Sequence, residues 1–510
     1  MMRPGCQAKR LMHLTGSICN QGVPECKPTG LFGLGGDAVP SRVYTIETRI
    51  PGSSKVVDYL NTYVTEYSAL TRRMWHDMTS PDFKERFPAM SRYVTYICRK
   101  YGLLKRTVNS IRFDVQGRMK SLMELKKTEL LQTDIKINSC GDRIKSIKSQ
   151  LDMLKQKAAA NSLGDRELEK YQNLKQSLYW QKNRLNRLKQ RKAGLEYQIR
   201  EKVYDMCYGS KEMFRKQHHL EENGYRTHEK WRNDFIRSRD RNIFYLGSSD
   251  ESFGNQMCRL KYNSQTGFFT LELRKEYKYC TDKKACSKYI RLGGLDFKYM
   301  KDNLAEILES YDTAGNGSYP LSYRFHRTGN RWYLQAIFEQ SFTDYRTVSK
   351  YGAVGLDYND GFIELSETDS SGNLTGLKHF TLKNHGTGKK AEAEIRDVIA
   401  EITGYAEKRC KDIVIEDLDF KRKKACGTAR SGKKSRKYNR MLHLFDYHRY
   451  KQTLQNTGFN HRVNIVIVNP KNTSKIGKQK YCGSRKLNIH QAAAYVIARR
   501  GQGYNDKLTA

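Results

Sequence analysis

Residues Tyr351–Thr368, YGAVGLDYNDGFIELSET, decide the fold of the last part of this chain. The apolar residues 353–356 predict a buried strand that ends at Asp357, and the residues from Phe362 to Ser366 predict a second strand. The Asn-Asp-Gly sequence between the two strands is typical of a hairpin turn. An acidic residue at the end of an apolar strand contributes little to packing, but it is well placed to bind a metal ion.

A second apolar run also ends in an acid. In Asp412–Leu418, DIVIEDL, three branched apolar residues lead directly into Glu416. Two-metal phosphodiester hydrolysis requires carboxylates that flank ions roughly 3.5–4 Å apart, and magnesium prefers such hard oxygen ligands. The pattern therefore predicts Asp357 and Glu416 as catalytic ligands of Mg²⁺, with two ions expected. The alternative is an ordinary turn or cap role, since acids are common at strand ends.

The composition favours a polyanionic partner. The 510 residues, which suggest about three domains, contain 93 Lys and Arg against 54 Asp and Glu, a net charge of +39. The 33 tyrosines suit stacking on bases, while no stretch is apolar enough to span a membrane. Nucleic acid is therefore expected as the partner, and no membrane. The alternative is a basic surface that is merely solvated.

The cysteines indicate a reducing, cytoplasmic location. Twelve cysteines are scattered without a repeated spacing, and the N-terminus has no signal-peptide pattern. The pairs Cys19 with Cys26 and Cys280 with Cys286 lack the spacing of a zinc knuckle, so no zinc is expected.

The periodicity divides the chain into blocks and predicts an α+β multidomain protein. A strand, a helical insertion with an antiparallel coiled-coil hairpin, and further strands are expected to form an antiparallel β-barrel interrupted by the helices, followed by an α/β unit. The pattern of the hairpin is consistent with three roles: it clamps a duplex, forms a solvated arm, or mediates dimerisation. The expected boundaries are a flexible leader at 1–40, a first strand at 41–55, helices at 56–240 with the hairpin at 119–200, strands at 241–345, and the α/β unit at 350–510.

Three segments of the last block resemble the RuvC-type segments of the transposon-encoded TnpB proteins and of the compact type V CRISPR effectors. They are GLDYNDGFIELSETDSSGNL, IVIEDLDF and NTSKIGKQKYCGSRKLNIHQAAAYVIARRG, and the resemblance covers residues 350–510. It implies an RNase H-like nuclease domain, a wedge barrel and a helical recognition lobe. It also implies magnesium, a guide RNA, and a double-stranded DNA target that is recognised by base pairing next to a short flanking motif. On this match Asp357 and Glu416 take the places of the catalytic aspartate and glutamate.

The chain departs from the family at the third catalytic position and at the zinc ribbon. The family places an aspartate before an Ala-rich helix, where this chain has no acid. His490 is the expected substitute, as an imidazole ligand or base, with Asn488 next and Asp506 as a distant alternative. An N-capping or packing role for Asn488 and His490 is the other interpretation. A zinc-less loop at 471–486 is expected in place of the ribbon.

A dense basic stretch follows Glu416. Residues 421–440 hold ten Lys or Arg, and they are expected to form a lid that binds the phosphates of the substrate strand. A disordered, solvated segment is the alternative. The predicted nucleic-acid-binding residues are Lys421, Arg422, Lys423, Lys424, Lys433, Lys434, Arg436, Lys437 and Arg440.

The leading hypothesis is thus an RNA-guided DNA endonuclease in the cytoplasm, associated with the nucleoid, in a bacterial or mobile-element context. A guide-directed DNA-binding protein that does not cut is the second hypothesis, because the third acid is missing. A DNA transposase is a weaker third. The sequence leaves the choice between monomer and dimer open.

Overall fold

The computed structural model describes residues 40–160, 164–279, 288–314, 319–359, 361–383, 388–418 and 447–508. Its helices are α1 (Lys55–Thr79), α2 (Phe83–Arg86), α3 (Met90–Tyr101), α4 (Lys105–Ala159), α5 (Asp165–Arg200), α6 (Lys211–Arg215), α7 (His228–Arg239), α8 (Lys301–Ala314), α9 (Lys389–Lys408), α10 (Tyr447–His461), α11 (Thr473–Gly477) and α12 (Ile489–Gly501).

Twelve strands accompany these helices in the described residues, so the α+β class expected from the sequence is observed. The strands are β1 (Ser41–Arg49), β2 (Asn242–Tyr245), β3 (Cys258–Asn263), β4 (Phe268–Arg274), β5 (Tyr289–Leu295), β6 (Ser322–Thr328), β7 (Arg331–Ser341), β8 (Ala353–Asn359), β9 (Phe362–Thr368), β10 (Leu374–Thr381), β11 (Asp412–Glu416) and β12 (Ile465–Val468).

The chain divides into two compact units. The first contains Ser41–Lys127 and Tyr197–Gln340, and the second contains Thr128–Glu196 and the chain from Ser341 onward. Long helices α4 and α5 therefore contribute to both.

The first unit combines α1 with two sheets. Ser54 caps α1 by accepting a hydrogen bond from the backbone N–H of Val57. The predicted apolar face of this helix, including Leu60 and Val64, is buried. The sheets have the orders β1-β7-β6-β2 and β3-β4-β5. Neither closes into a barrel within the described residues, so the predicted closed barrel is not confirmed.

The hairpin of α4 and α5 is antiparallel. Cys140 lies against Gln181, and Lys192 Nζ lies 2.7 Å from Asp134 Oδ1. Helix α4 begins earlier than the hairpin boundary expected from the sequence, because Val108 at its start is fully buried in the core of the first unit.

The second unit is built on a five-stranded sheet of order β10-β9-β8-β11-β12. Strands β8, β9 and β10 are antiparallel neighbours, whereas β11 runs parallel to both β8 and β12. Ile413, Val414 and Ile415 of β11 are all buried, because helices cover both faces of the sheet.

The two faces of this sheet have different helical partners. Leu356 and Ile415 point into the core formed with α9 and α10. Ala353 and Val414 instead pack against Ile497 of α12. Because side chains alternate along a strand, Asp357 and Glu416 lie on the face covered by α12, hereafter the α12 face.

Gly355 fixes the distance between β8 and α12. A Cβ at this position would lie 2.1 Å from the carbonyl oxygen of Ala494 and 2.5 Å from the backbone nitrogen of Ala498. Only glycine therefore permits this approach, and the small side chains of α12 complete it.

None of the helices in the described ranges is both long enough and apolar enough to cross a membrane.

We expect Gly355→Ala to lower the free energy of unfolding by about 3 kcal/mol, because the new methyl group meets backbone atoms that cannot move aside. Gly404→Ala in α9 is the matched control. A Cβ there meets nothing within 4 Å, so this variant should gain roughly 0.5–1 kcal/mol from helix propensity. Urea unfolding measures both changes, and a Gly355→Ala protein as stable as the wild type would contradict the close packing.

Candidate active site

Asp357 and Glu416 lie side by side at one edge of the sheet. The parallel register pairs Ile413 with Val354 and Val414 with Gly355. Two residues further along each strand, the same register brings Glu416 level with Asp357. Adjacent strands are about 4.8 Å apart, so the two predicted acids are neighbours on the α12 face.

The Asp357 carboxylate is nearly buried and has hydrogen-bond donors on one oxygen. It is 9% exposed. Asn359 Nδ2 donates to Oδ2 over 2.9 Å, and His490 Nδ1 lies 3.0 Å from the same oxygen. Burial raises the pKa of Asp357 above its usual value, against the effect of both donors, and the charge of Glu364 raises it further.

Glu416 has a similar environment. Thr473, at the start of α11, donates a hydrogen bond from its hydroxyl to Oε1. Burial raises the pKa of Glu416 to about 7, with a further contribution from the charge of Asp357, while Thr473 and Arg500 act in the opposite direction. The protein thus holds two desolvated carboxylates side by side. A bound cation would offset the electrostatic repulsion between them.

Glu364 is a third acid at this site, and the sequence analysis missed it. The antiparallel register pairs Glu364 of β9 directly with Asp357. It is 3% exposed. The Asn-Asp-Gly turn could have revealed it, because a two-residue hairpin loop that pairs Asn359 with Phe362 necessarily pairs Asp357 with Glu364.

The three carboxylates share one pattern of hydrogen bonding. Each has one oxygen with a donor, which is Oδ2 of Asp357, Oε1 of Glu416 and Oε1 of Glu364. Among the described residues none donates to the other oxygen of any of the three, and Oε2 of Glu364 is fully buried.

The start of α12 brings both candidate substitutes for the missing acid to the site, in different roles. His490 contacts Asp357, and its ring meets that of Phe362 edge-on at 5.1 Å between centroids. Asn488 is the N-cap of α12: its side-chain oxygen accepts from Gln491 N over 2.8 Å, and Gln491 caps in return. The oxygen expected as a neutral ligand is therefore engaged in capping.

The remaining predictions have different outcomes. Both carboxylate oxygens of Asp506 are bound, to Tyr481 over 3.1 Å and to Arg499 over 2.8 Å. The expected loop at 471–486 is largely helical, with α11 followed by a π-helical turn at Lys478–Cys482. The basic lid at 421–440 and the leader at 1–39 lie outside the described residues, as do Cys19, Cys26, Cys280 and Cys286.

The donor chemistry suits a hard divalent cation. Three adjacent carboxylates, each with an oxygen that lacks a described donor, are the ligands that Mg²⁺ prefers. Among the residues that the structure describes, no three His, Cys, Asp or Glu side chains converge as the ligands of a metal ion would.

No protein-family model matches the chain, and no curated protein shows significant similarity to it.

Asn488 allows a direct test of its capping role. Asn488→Ala should lower the free energy of unfolding by about 1 kcal/mol, because α12 loses its cap. Asn488→Ser is the matched variant, since serine caps equally well but also lacks the amide nitrogen that approaches Glu364. We expect the serine variant to unfold at nearly the wild-type urea concentration. Equal loss in both variants would show that the amide contact, rather than the cap, stabilises the helix.

Proposed function

We propose that this protein is an RNA-guided DNA endonuclease with a magnesium-dependent site at Asp357 and Glu416. One observation carries the proposal: two buried carboxylates lie level with each other near the ends of adjacent parallel strands, on the face covered by α12. The strand order and the position of these acids support the RNase H-like, RuvC-type domain that the sequence resemblance implies. The proposed activity and the proposed fold family are both inferred from that resemblance and from this geometry.

Asp357 and Glu416 would hold the metal ions. When bound, magnesium activates water and stabilises the charge that develops on the leaving oxygen of a phosphodiester. The protein supplies the negative charge for this task in a largely desolvated setting, where electrostatic interactions are stronger than in water. Thr473 and Asn359 orient one oxygen of each carboxylate and leave the other free of described donors.

His490 is the neighbour of Asp357 with the greatest freedom to contact a substrate. Its side chain is 46% exposed, while Nδ1 is anchored on Asp357 and the ring rests against Phe362. The anchored ring therefore presents its other edge to solvent. We assign it the role of moving a proton to or from the substrate at Nε2, which suits the ordinary chemistry of histidine.

The proposed nucleic-acid partners are inferred from the net charge of the chain. A net charge of +39 is far more than a soluble surface requires, and it would neutralise the phosphates of a guide RNA and a DNA duplex. In this proposal the sheets of the first unit take the place of the wedge, the helices at 56–240 take the place of the recognition lobe, and the basic stretch at 421–440, the expected lid, binds the phosphates of the substrate strand. A location in the cytoplasm near the nucleoid follows from the same proposal.

A second function is favoured by a specific observation. His490 already occupies Oδ2 of Asp357, and α12 carries no acid at its start. A histidine that neutralises the first aspartate would suit a guide-directed protein that binds DNA without cutting it.

The decisive experiment uses the full chain with the RNA that co-purifies with it. After sequencing of that RNA, a plasmid that carries the matching target is incubated with the complex and magnesium. We expect linearisation by the wild type, and a loss of rate of about a thousandfold or more for Asp357→Asn and Glu416→Gln, because several kcal/mol of transition-state stabilisation are removed.

Asp412→Asn is the control for this experiment. It also removes a buried carboxylate from β11, but at the opposite end of the strand, where Thr347 and Asn464 bind it. We expect it to cleave at the wild-type rate. Retardation of the plasmid without cleavage would support the second function, and cleavage by Asp357→Asn would refute the site.

A further inference from the structure

We propose that Glu364 is the third carboxylate ligand of this site, supplied by β9 in place of an acid at the start of α12. This inference rests on the proposed metal-dependent function, and it assigns a residue that the RuvC-type sequence pattern does not indicate.

The sheet register places Glu364 in the right position. Asp357 has Glu364 as its direct partner on β9, and Glu416 is level with it on β11. Directly opposed residues in an antiparallel pair have Cβ atoms about 4.5–5.5 Å apart on the same face. Three carboxylates therefore form a row across three adjacent strands, with Asp357 in the centre.

The buried oxygen of Glu364 gives an independent reason. Oε1 accepts from His379 Nδ1 over 2.9 Å and is approached by Asn488 Nδ2 at 3.4 Å. Oε2 is buried without a hydrogen-bond partner. A buried carboxylate oxygen without a partner is costly. A cation on the α12 face would provide the missing partner.

The other side chains around Glu364 position it. His379 comes from β10 and Asn488 from the cap of α12, so the carboxylate is held from two sides. For Oε2 to join an ion at Asp357, the Glu364 side chain must rotate about its terminal torsions. This rotation also moves Oε1, so it breaks the 2.9 Å contact with His379 as well as the weak 3.4 Å contact with Asn488.

The competing explanation is structural, a buried ion pair between Glu364 and His379. The two explanations differ in what Glu364→Gln does to the protein without metal. A structural ion pair loses stability when the charge is removed. If Glu364 is instead a ligand without its ion, the substitution stabilises the metal-free protein, because it removes a buried charge beside Asp357.

The test measures Mn²⁺ binding by titration calorimetry and thermal unfolding with and without Mn²⁺, using the full chain. For Glu364→Gln we expect a metal-free unfolding temperature equal to or above that of the wild type, and an Mn²⁺ dissociation constant raised about tenfold or more. The Mn²⁺-induced rise in unfolding temperature should shrink accordingly. Asp412→Asn is the control, with unchanged Mn²⁺ affinity.

The remaining outcomes separate this inference from the proposed function. If Asp357→Asn loses Mn²⁺ affinity while Glu364→Gln retains it, Glu364 is not a ligand and the proposed function stands. If Glu364→Gln is less stable without metal and binds Mn²⁺ as the wild type does, the ion-pair explanation is correct. If the wild type itself binds no Mn²⁺, or Asp357→Asn binds it equally well, the proposed function fails as well.

Discussion

The contact between Gly355 and the alanine face of α12 is the constraint on which the second unit depends. Without a Cβ at this position, the helix backbone lies close enough to the sheet for Ala494 and Ala498 to pack directly on β8. The start of α12 is thereby held at the strand ends, and His490 comes within hydrogen-bond distance of Asp357. A wider separation would leave the acids facing water instead of a helix terminus.

The same packing creates a conflict between stability and chemistry. Three carboxylates are removed from water on one face of the sheet, and burial raises the pKa of both Asp357 and Glu416. An apolar or hydrogen-bonded residue at any of these positions would serve the fold better. Proteins keep such locally unfavourable groups mainly at functional sites, which is the reason to regard this edge of the sheet as the site.

Much of this arrangement was predictable from local sequence. The apolar runs before Asp357 and Glu416 predicted both strands, because strands buried on two faces lack alternation. Glu364 was missed since its significance comes from strand pairing rather than from its own neighbours. Barrel closure likewise depends on how the strands of separate segments pair, which periodicity does not specify, and the described sheets remain open. The helix at Thr473–Gly477 replaced an expected loop because tertiary contacts bury Thr473 and Ile476.

The charges around the site explain why a missing acid on α12 is consistent with metal binding. Three carboxylates face three basic side chains: His490 beside Asp357, His379 beside Glu364, and Arg500, whose charge lowers the pKa of Glu416. The N-terminus of α12 adds a partial positive charge of about half a unit. A fourth acid at the start of α12 would increase the repulsion among the carboxylates, whereas His490 reduces this repulsion. The carboxylates supply oxygen atoms of the kind that a divalent cation prefers, and they come from β8, β9 and β11. An acid on α12 is therefore not needed to place three carboxylates at this edge of the sheet.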